Sequence, residues 1–165
     1  MIFLDDLRKC DIDNYRCVLF VCCEAMHKAE YDYIKNVVKG GDRTVAFMRR
    51  NGWIVDGKTN QEQVYALYGF VPEKAYEEYQ AKSCRVVHIA EFMYQAEFYR
   101  QLFASAGAHV YTDNNEVLCV ANGLACVHAK GVGVTCVHTR VGGVKVDLGE
   151  CGTAVIDLMT GEKVY

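Results

Sequence analysis

The sequence lacks the features of several protein classes. Its longest apolar run, Val18–Cys23, is far shorter than the roughly 20 residues that a membrane-spanning helix needs. Lys and Arg are not in excess, since 18 of them face 21 Asp and Glu for a net charge of −3, whereas nucleic-acid-binding surfaces concentrate positive charge. Met1–Arg8 is acidic where a secretory signal is basic. We therefore expect no membrane span, no nucleic-acid partner and a cytoplasmic location.

What the sequence does contain is typical of a folded α/β protein. Hydrophobic residues make up 52% and charged residues 24% of the 165 positions, which excludes wholesale disorder and low-complexity structure. That length fits one domain with a sizeable core. Cysteine is abundant, but the nine cysteines are odd in number and follow no secretory signal. They are therefore expected to be reduced, buried thiols that serve as small hydrophobic residues.

The pattern changes near Gly107. Before it, apolar strand-like runs alternate with helical periodicity, which predicts an α/β part over residues 1–107. After it, short strands separated by turn residues predict antiparallel hairpins over residues 108–165, in the same domain. The predicted strands are Arg16–Cys22, Thr44–Met48, His109–Tyr111, Val117–Ala121, Leu124–Lys130, Val134–Thr139, Val144–Leu148 and Thr153–Leu158. The predicted helices are Glu24–Lys39, Gln61–Leu67, Glu73–Gln80 and Ile89–Ala106.

A thiol site is one candidate for chemistry. Cys22 and Cys23 lie where the first predicted strand gives way to a helix, and a helix N-terminus stabilises a thiolate. With His138 or His88 as the base, a cysteine-dependent hydrolase or amidotransferase is conceivable. A sharp nucleophile elbow needs small neighbours, however, and no glycine flanks these cysteines. Two cysteines that end a buried strand are the alternative interpretation.

A second candidate is a metal site. Cys126 and His128, and likewise Cys136 and His138, are two residues apart and so share one face of a strand. If Gly131–Gly133 forms a hairpin turn, all four side chains meet on one side of the hairpin as a Cys₂His₂ zinc site. The one-residue spacers are unusual for zinc, and a one-residue slip of register breaks the pairing. Ordinary packing of the sheet face is the alternative.

Several segments together resemble one domain family. The segments are Asp5–Leu7, Asp13–Phe20, Gly41–Met48, Ala106–Asp113, Val137–Gly143 and Asp157–Glu162. Their order and spacing resemble those of the trimerisation domain of bacterial beta-galactosidases, which also occurs in other large multidomain glycoside hydrolases. The resemblance covers nearly the whole chain.

The resemblance implies a fold and an inactive site. The fold is flavodoxin-like, of the class I glutamine amidotransferase type, with a parallel sheet between two layers of helices and a C-terminal antiparallel extension. Its nucleophile would follow Thr44–Met48, where this sequence has Arg49–Gly52 and no cysteine. The first βα unit of the fold is missing, and Met1–Leu4 resembles the end of a second strand. We therefore expect either that another strand fills the place of the first one or that the chain is a fragment of a longer protein.

The function implied is that of a non-catalytic accessory or oligomerisation domain of a glycoside hydrolase. In that family, carboxylates of a separate barrel domain hydrolyse the sugar. We therefore expect no catalytic, cofactor-binding or metal-binding residue in this chain, and no cofactor. The expected partners are the barrel domain of the same parent chain and further copies of this one.

Overall fold

The computed structural model describes residues 3–81 and 83–165, apart from the side chains of Lys130 and Val132. The chain forms two compact units. The α/β unit comprises the described residues up to Tyr94 together with Ser105–Ala108, and the β unit comprises Gln95–Ala104 and His109–Tyr165. That residues 1–107 and 108–165 belong to one domain stays a prediction.

The α/β unit is built around a four-stranded mixed sheet. Its elements are β1 (Cys17–Val21), β2 (Ala25–Met26), α1 (Lys28–Asn36), β3 (Arg43–Met48), β4 (Ile54–Val55), β5 (Lys58–Thr59), α2 (Gln61–Tyr68), β6 (Tyr76–Gln80) and β7 (Cys84–Ile89). The main sheet has the order β1-β3-β7-β6, in which β6 alone is antiparallel to its neighbour. The short strands β2, β4 and β5 form a second sheet.

Apolar runs and helix caps explain these elements. All six residues of β3 are buried, as expected for a strand covered on both faces. The Asn60 side chain caps α2 by accepting a hydrogen bond from the Glu62 amide at 2.8 Å, and Gly69 ends the helix with a φ of 87°. Phe47 stacks on Phe20 and on Tyr68, with ring centroids 5.4 and 4.8 Å apart. This aromatic stack lies in the core of the unit.

The structure corrects three predictions for this unit. The sheet is mixed rather than wholly parallel, because the segment expected as a helix over Glu73–Gln80 contains β6 instead. Pairing with β7, including an ion pair between Glu78 and Arg85, overrides the helical propensity of this segment. Helix α1 begins at Lys28, not at Glu24. Of the strand end predicted at Met1–Leu4, Met1 and Ile2 lie outside the described residues, and Leu4 begins a short 3₁₀ helix.

The β unit confirms the predicted antiparallel extension. It contains most of α3 (Ala96–Ser105) and the strands β8 (Val117–Ala121), β9 (Leu124–Thr139) and β10 (Gly142–Asp157). The sheet order is β10-β9-β8, and both pairings are antiparallel. Its core includes Val127, Val137 and Ile156 on alternating positions of the long strands. No helix of the described part is both long and apolar enough to span a membrane.

Two long strands replace the four short ones predicted between Leu124 and Leu158. Gly131 and Gly133 have φ values of 74° and 71°, and Gly149 of the opposite strand has a φ of 61°. The register between β9 and β10 shifts on either side of Gly149. The glycines therefore bend the strands as bulges and do not end them. The helix predicted over Ile89–Ala106 is also shorter, since Ile89 belongs to β7 and α3 begins at Ala96.

Candidate functional site

Cys22 and Cys23 do not lie at a helix N-terminus. They follow β1 directly, but β2 intervenes and α1 begins only at Lys28. The Cys23 thiol donates a long hydrogen bond of 3.9 Å to the Val21 carbonyl oxygen. Burial, followed by the neighbouring Cys22, raises the pKa of the Cys23 thiol above its ordinary value. The helix dipole that was expected to favour a thiolate is thus absent at this position, and the protonated thiol is favoured instead.

The structure does not pair either thiol with a histidine base. His88 lies on β7, which is separated from β1 by β3, so the two backbones are about 10 Å apart. Its ring packs 5.4 Å from the ring of Tyr68, and burial lowers its pKa. His138 belongs to the β unit. Within residues 3–81 and 83–165, no histidine is hydrogen-bonded to Cys22 or Cys23.

The position at which the family resemblance places a nucleophile carries a structural turn. Arg49 follows β3 with a φ of 61°, and its guanidinium lies 5.0 Å from the ring centroid of Phe92. Asn51 is completely buried. Its Oδ1 accepts a hydrogen bond from the Cys23 amide at 2.9 Å, and its Nδ2 donates to the Met48 carbonyl oxygen at 3.1 Å.

Tyr68 closes the same turn from helix α2. Its hydroxyl donates to the carbonyl oxygen of Arg49 at 2.9 Å and accepts from the amide of Asn51 at 3.3 Å. The turn between β3 and β4 is therefore fixed by buried hydrogen bonds that tie it to the end of β1 and to α2. These groups satisfy one another, so the turn presents no unpaired nucleophile.

The sequence predicts buried cysteines, but in the structure their exposure ranges from buried to exposed. Only Cys84 is buried, whereas Cys119 and Cys151 are exposed. Burial raises the pKa of Cys17 to about 11 from an ordinary value of 9.0. Burial likewise raises the pKa of Cys84.

These differences predict an order of thiol reactivity. At pH 8 the thiolate fraction of Cys17 is about one hundredth of that of a thiol with the ordinary pKa. We therefore expect iodoacetamide to label Cys119 and Cys151 first, with Cys17, Cys23 and Cys84 slowest, as measured by peptide mass spectrometry of the native chain. The unfolded chain is the control, in which all nine cysteines should react alike. A Cys22 or Cys23 that reacts faster than Cys119 would instead support the thiol-enzyme interpretation.

The predicted Cys₂His₂ site does not form. Residues 131–133 continue β9, so Cys126 and Cys136 lie ten positions apart on one strand, or about 30 Å along an extended chain. Cys126 is opposite Cys119 of β8 in the register. The His128 Nδ1 atom lies 2.8 Å from the hydroxyl oxygen of Thr153. The predicted hairpin, which would bring the two Cys-His pairs together, does not form. Gly131 and Gly133 belong to bulges rather than to a turn.

A different cluster gathers around one of those pairs. The side chains of Asp113, Cys136 and His138 place one ligand atom each within 4.8 Å of the other two. The Asp113 Oδ1 and His138 Nε2 atoms are 2.9 Å apart. Asp113 was not among the metal ligands considered from the sequence. The signal was its position two residues after a β-like segment, His109–Tyr111, but nothing in the sequence shows that this segment lies beside His138.

The two edges of the main sheet are protected differently. Edge strand β6 carries Glu77 and Glu78, and Glu78 forms two hydrogen bonds with Arg85 at 2.9 and 3.0 Å. Edge strand β1 has only apolar residues, Cys-Val-Leu-Phe-Val, and among the described strands it pairs with β3 alone. A groove of about 310 Å³ lies beside β1. The groove is lined by β1 itself, Phe3, Leu4, Leu7, Ile12, Tyr15 and Cys23.

Comparison with known proteins gives a limited likeness. No protein-family model and no curated protein matches the sequence. Among solved structures, the GH42 beta-galactosidase Gan42B is similar, with a TM-score of 0.44 and 10% sequence identity. The match covers 95% of this chain and 30% of that enzyme, so the chain spans less than a third of its length.

Proposed function

We propose that this protein is a non-catalytic accessory domain of a beta-galactosidase-like glycoside hydrolase and that it acts through assembly. The ordered motifs, from Asp5–Leu7 to Asp157–Glu162, support the family. The turn at Arg49–Gly52 supports the lack of catalysis, because buried hydrogen bonds occupy the position where the related amidotransferases would carry a nucleophile. On this proposal the α/β unit is a reduced flavodoxin-like fold, and the nine free thiols fit a cytoplasmic location.

The observation that carries an assembly role is the free edge of β1. An edge strand presents backbone N–H and C=O groups that can pair with another chain, and proteins usually protect such edges with charges, proline or bulges. Edge strand β6 has this protection in Glu77 and Glu78, but β1 has no charged residue and no proline. The groove beside β1 is also lined by the exposed ring of Phe3, which enlarges the apolar surface at this edge.

We infer that a strand of a second copy covers β1. Two copies of the same apolar strand can pair antiparallel about a two-fold axis, because each then presents the same pattern to the other. Burial of the groove side chains adds hydrophobic area to the backbone hydrogen bonds. In the parent enzyme, the barrel domain is the further partner that we propose.

A charge placed on this edge tests the proposal. Val21 ends β1 with half of its surface exposed, so Val21→Lys should leave the fold intact. The ammonium group would have to be desolvated at a paired edge, and we therefore expect at least a tenfold loss of self-association. Sedimentation velocity over a range of concentrations measures this change.

A matched substitution separates edge pairing from general hydrophobicity. Val71 is 57% exposed and lies outside the groove, so Val71→Lys adds the same charge on the same unit. Self-association should be unchanged in this variant. Equal losses in both variants, or no loss in Val21→Lys, would remove β1 as the assembly surface.

A further inference from the structure

One exposed side of the β unit gathers three different metal-binding side chains. Strand β9 alternates, so the buried Val137 points to the core while Cys136 and His138 share the outer face. One ligand atom from each of Asp113, Cys136 and His138 lies within 4.8 Å of the other two. The three atoms are a thiol sulfur, an imidazole nitrogen and a carboxylate oxygen.

The backbone fixes how Asp113 reaches this face. The segment that precedes it runs beside β9, where the His138 amide donates to the Tyr111 carbonyl oxygen at 2.8 Å and Thr112 forms a β-bridge with Val137. On the same segment, His109 Nε2 lies 3.0 Å from the His138 carbonyl oxygen. Because this segment is bound to the backbone of Val137 and of His138, Asp113 is held beside the imidazole.

Gly143 keeps the space next to this cluster open. It lies opposite His138 in the register of β9 and β10. A Cβ atom at Gly143 would be 2.8 Å from the Cys136 sulfur and 3.8 Å from His138 Nδ1. Its backbone conformation does not require glycine, since its φ is outside the left-handed region. Glycine at position 143 therefore leaves space beside the Cys136 sulfur, and a turn does not require it.

We propose that Asp113, Cys136 and His138 form a binding site for a zinc-class divalent cation. Sulfur, nitrogen and oxygen donors all bind Zn²⁺, at about 2.3, 2.0 and 2.1 Å. Two such donors around a tetrahedral ion are about 3.3 to 3.5 Å apart, so the observed spacing requires only small side-chain shifts. A thiolate and a carboxylate balance the charge of the ion, and the exposed fourth position is left for water.

Metal binding would release a proton from the site. The Cys136 thiol loses its proton to solvent as sulfur binds the ion, and His138 binds as the neutral imidazole. Affinity should therefore fall as the pH is lowered.

The chain supplies its own matched control. Cys126 and His128 have the same Cys-x-His spacing on the same face of β9, but no third ligand of the described residues joins them. We would titrate the reduced full chain with Zn²⁺ by calorimetry and with Co²⁺ by absorption spectroscopy, because thiolate ligation of Co²⁺ gives a charge-transfer band. The variants are Cys136→Ser, Asp113→Asn and Cys126→Ser.

We expect one equivalent of Zn²⁺ to bind the wild-type chain and the thiolate band to appear with Co²⁺. Cys136→Ser should lose the band and bind Zn²⁺ at least 100-fold more weakly. Asp113→Asn should weaken binding about tenfold, since the amide oxygen remains a neutral ligand, and Cys126→Ser should match the wild type. No Zn²⁺ binding by the wild-type chain, a band that survives Cys136→Ser, or an equal loss in Cys126→Ser would overturn the proposal.

Gly143→Ala provides a second test that does not remove a ligand. The added methyl group would displace the Cys136 sulfur, so Zn²⁺ affinity should fall at least tenfold while the melting curve without metal stays that of the wild type. An unchanged affinity in this variant would show that the open space beside Cys136 has no part in binding.

Discussion

Replacing Asn51 with alanine is expected to lower the free energy of unfolding by about 3 kcal/mol. The side chain is completely buried and joins the ends of β1 and β3. Its removal leaves the Cys23 amide without the partner that Asn51 provides, and an unsatisfied buried group costs about 1–3 kcal/mol. It also removes one donor from the Met48 carbonyl oxygen, which keeps the Cys22 amide as a donor. Denaturant unfolding of the purified chain measures the change.

An exposed asparagine is the control for this substitution. The Asn14 side chain donates to the Asp11 carboxylate at 3.0 Å on the surface, so Asn14→Ala should change the stability by less than about 0.5 kcal/mol. If Asn51→Ala lowers the free energy of unfolding as little as Asn14→Ala does, the Asn51 side chain does not stabilise the turn at Arg49–Gly52. The argument that structural hydrogen bonds occupy the nucleophile position would then fail.

Replacing Gly152 with alanine is expected to destabilise the β unit by about 3 kcal/mol. A Cβ atom at this position would overlap the backbone carbonyl oxygen of Leu148, in the bulged part of β10. A backbone atom cannot rotate away as a side chain can, so the bulge itself must shift. We expect a loss of stability near the upper end of the range that overpacked substitutions cause. Thermal unfolding followed by circular dichroism measures the effect.

Gly143→Ala is the matched control on the same strand. The added methyl group there meets only the Cys136 sulfur and the His138 ring, both of which can move. Its stability should therefore stay within about 0.5 kcal/mol of the wild type. Equal effects of the two substitutions would show that the bulge near Gly152 is not a fixed part of the fold.

Strands with unambiguous patterns could be predicted from the sequence. The apolar runs at β1 and β3 form neighbouring parallel strands, of which β3 is buried throughout. The turn residues Asn122 and Gly123 join β8 to β9. The helix predicted over Glu73–Gln80 was wrong, because Tyr-Glu-Glu-Tyr-Gln has neither the strict alternation nor the apolar face that would identify the strand β6. Its strand conformation depends on pairing with β7, which is information outside the segment itself.

Glycines caused the main error in the β unit. A Gly-x-Gly segment at residues 131–133 is compatible with a hairpin turn or with a bulge, and sequence alone does not distinguish them. The distinction decides which side chains meet. A turn at residues 131–133 would bring Cys126 to His138. A bulge keeps β9 continuous instead, and Cys136 and His138 then lie beside Asp113. Cys136 and His138, which we propose as metal ligands, were therefore recognised as a pair, but the position of Asp113 beside them depends on long-range strand packing.

The apolar character of β1 was visible in the sequence, but its place at a sheet edge was not. A continuous apolar strand usually lies inside a parallel sheet, with strands on both sides. Here one side is open among the described residues, and the groove beside it is apolar. On our proposal a second copy of the chain provides the burial that the apolar sequence of β1 favours, and this links the composition of one strand to an assembly function.

The molar mass of the reduced chain in solution tests this account most directly. Light scattering over a dilution series should give a multiple of 18.6 kDa that falls toward the monomer only on dilution. That result would place a second copy against the chain, and the Val21→Lys variant would then show whether β1 is the contact. A mass of 18.6 kDa at every concentration would contradict the proposed assembly function.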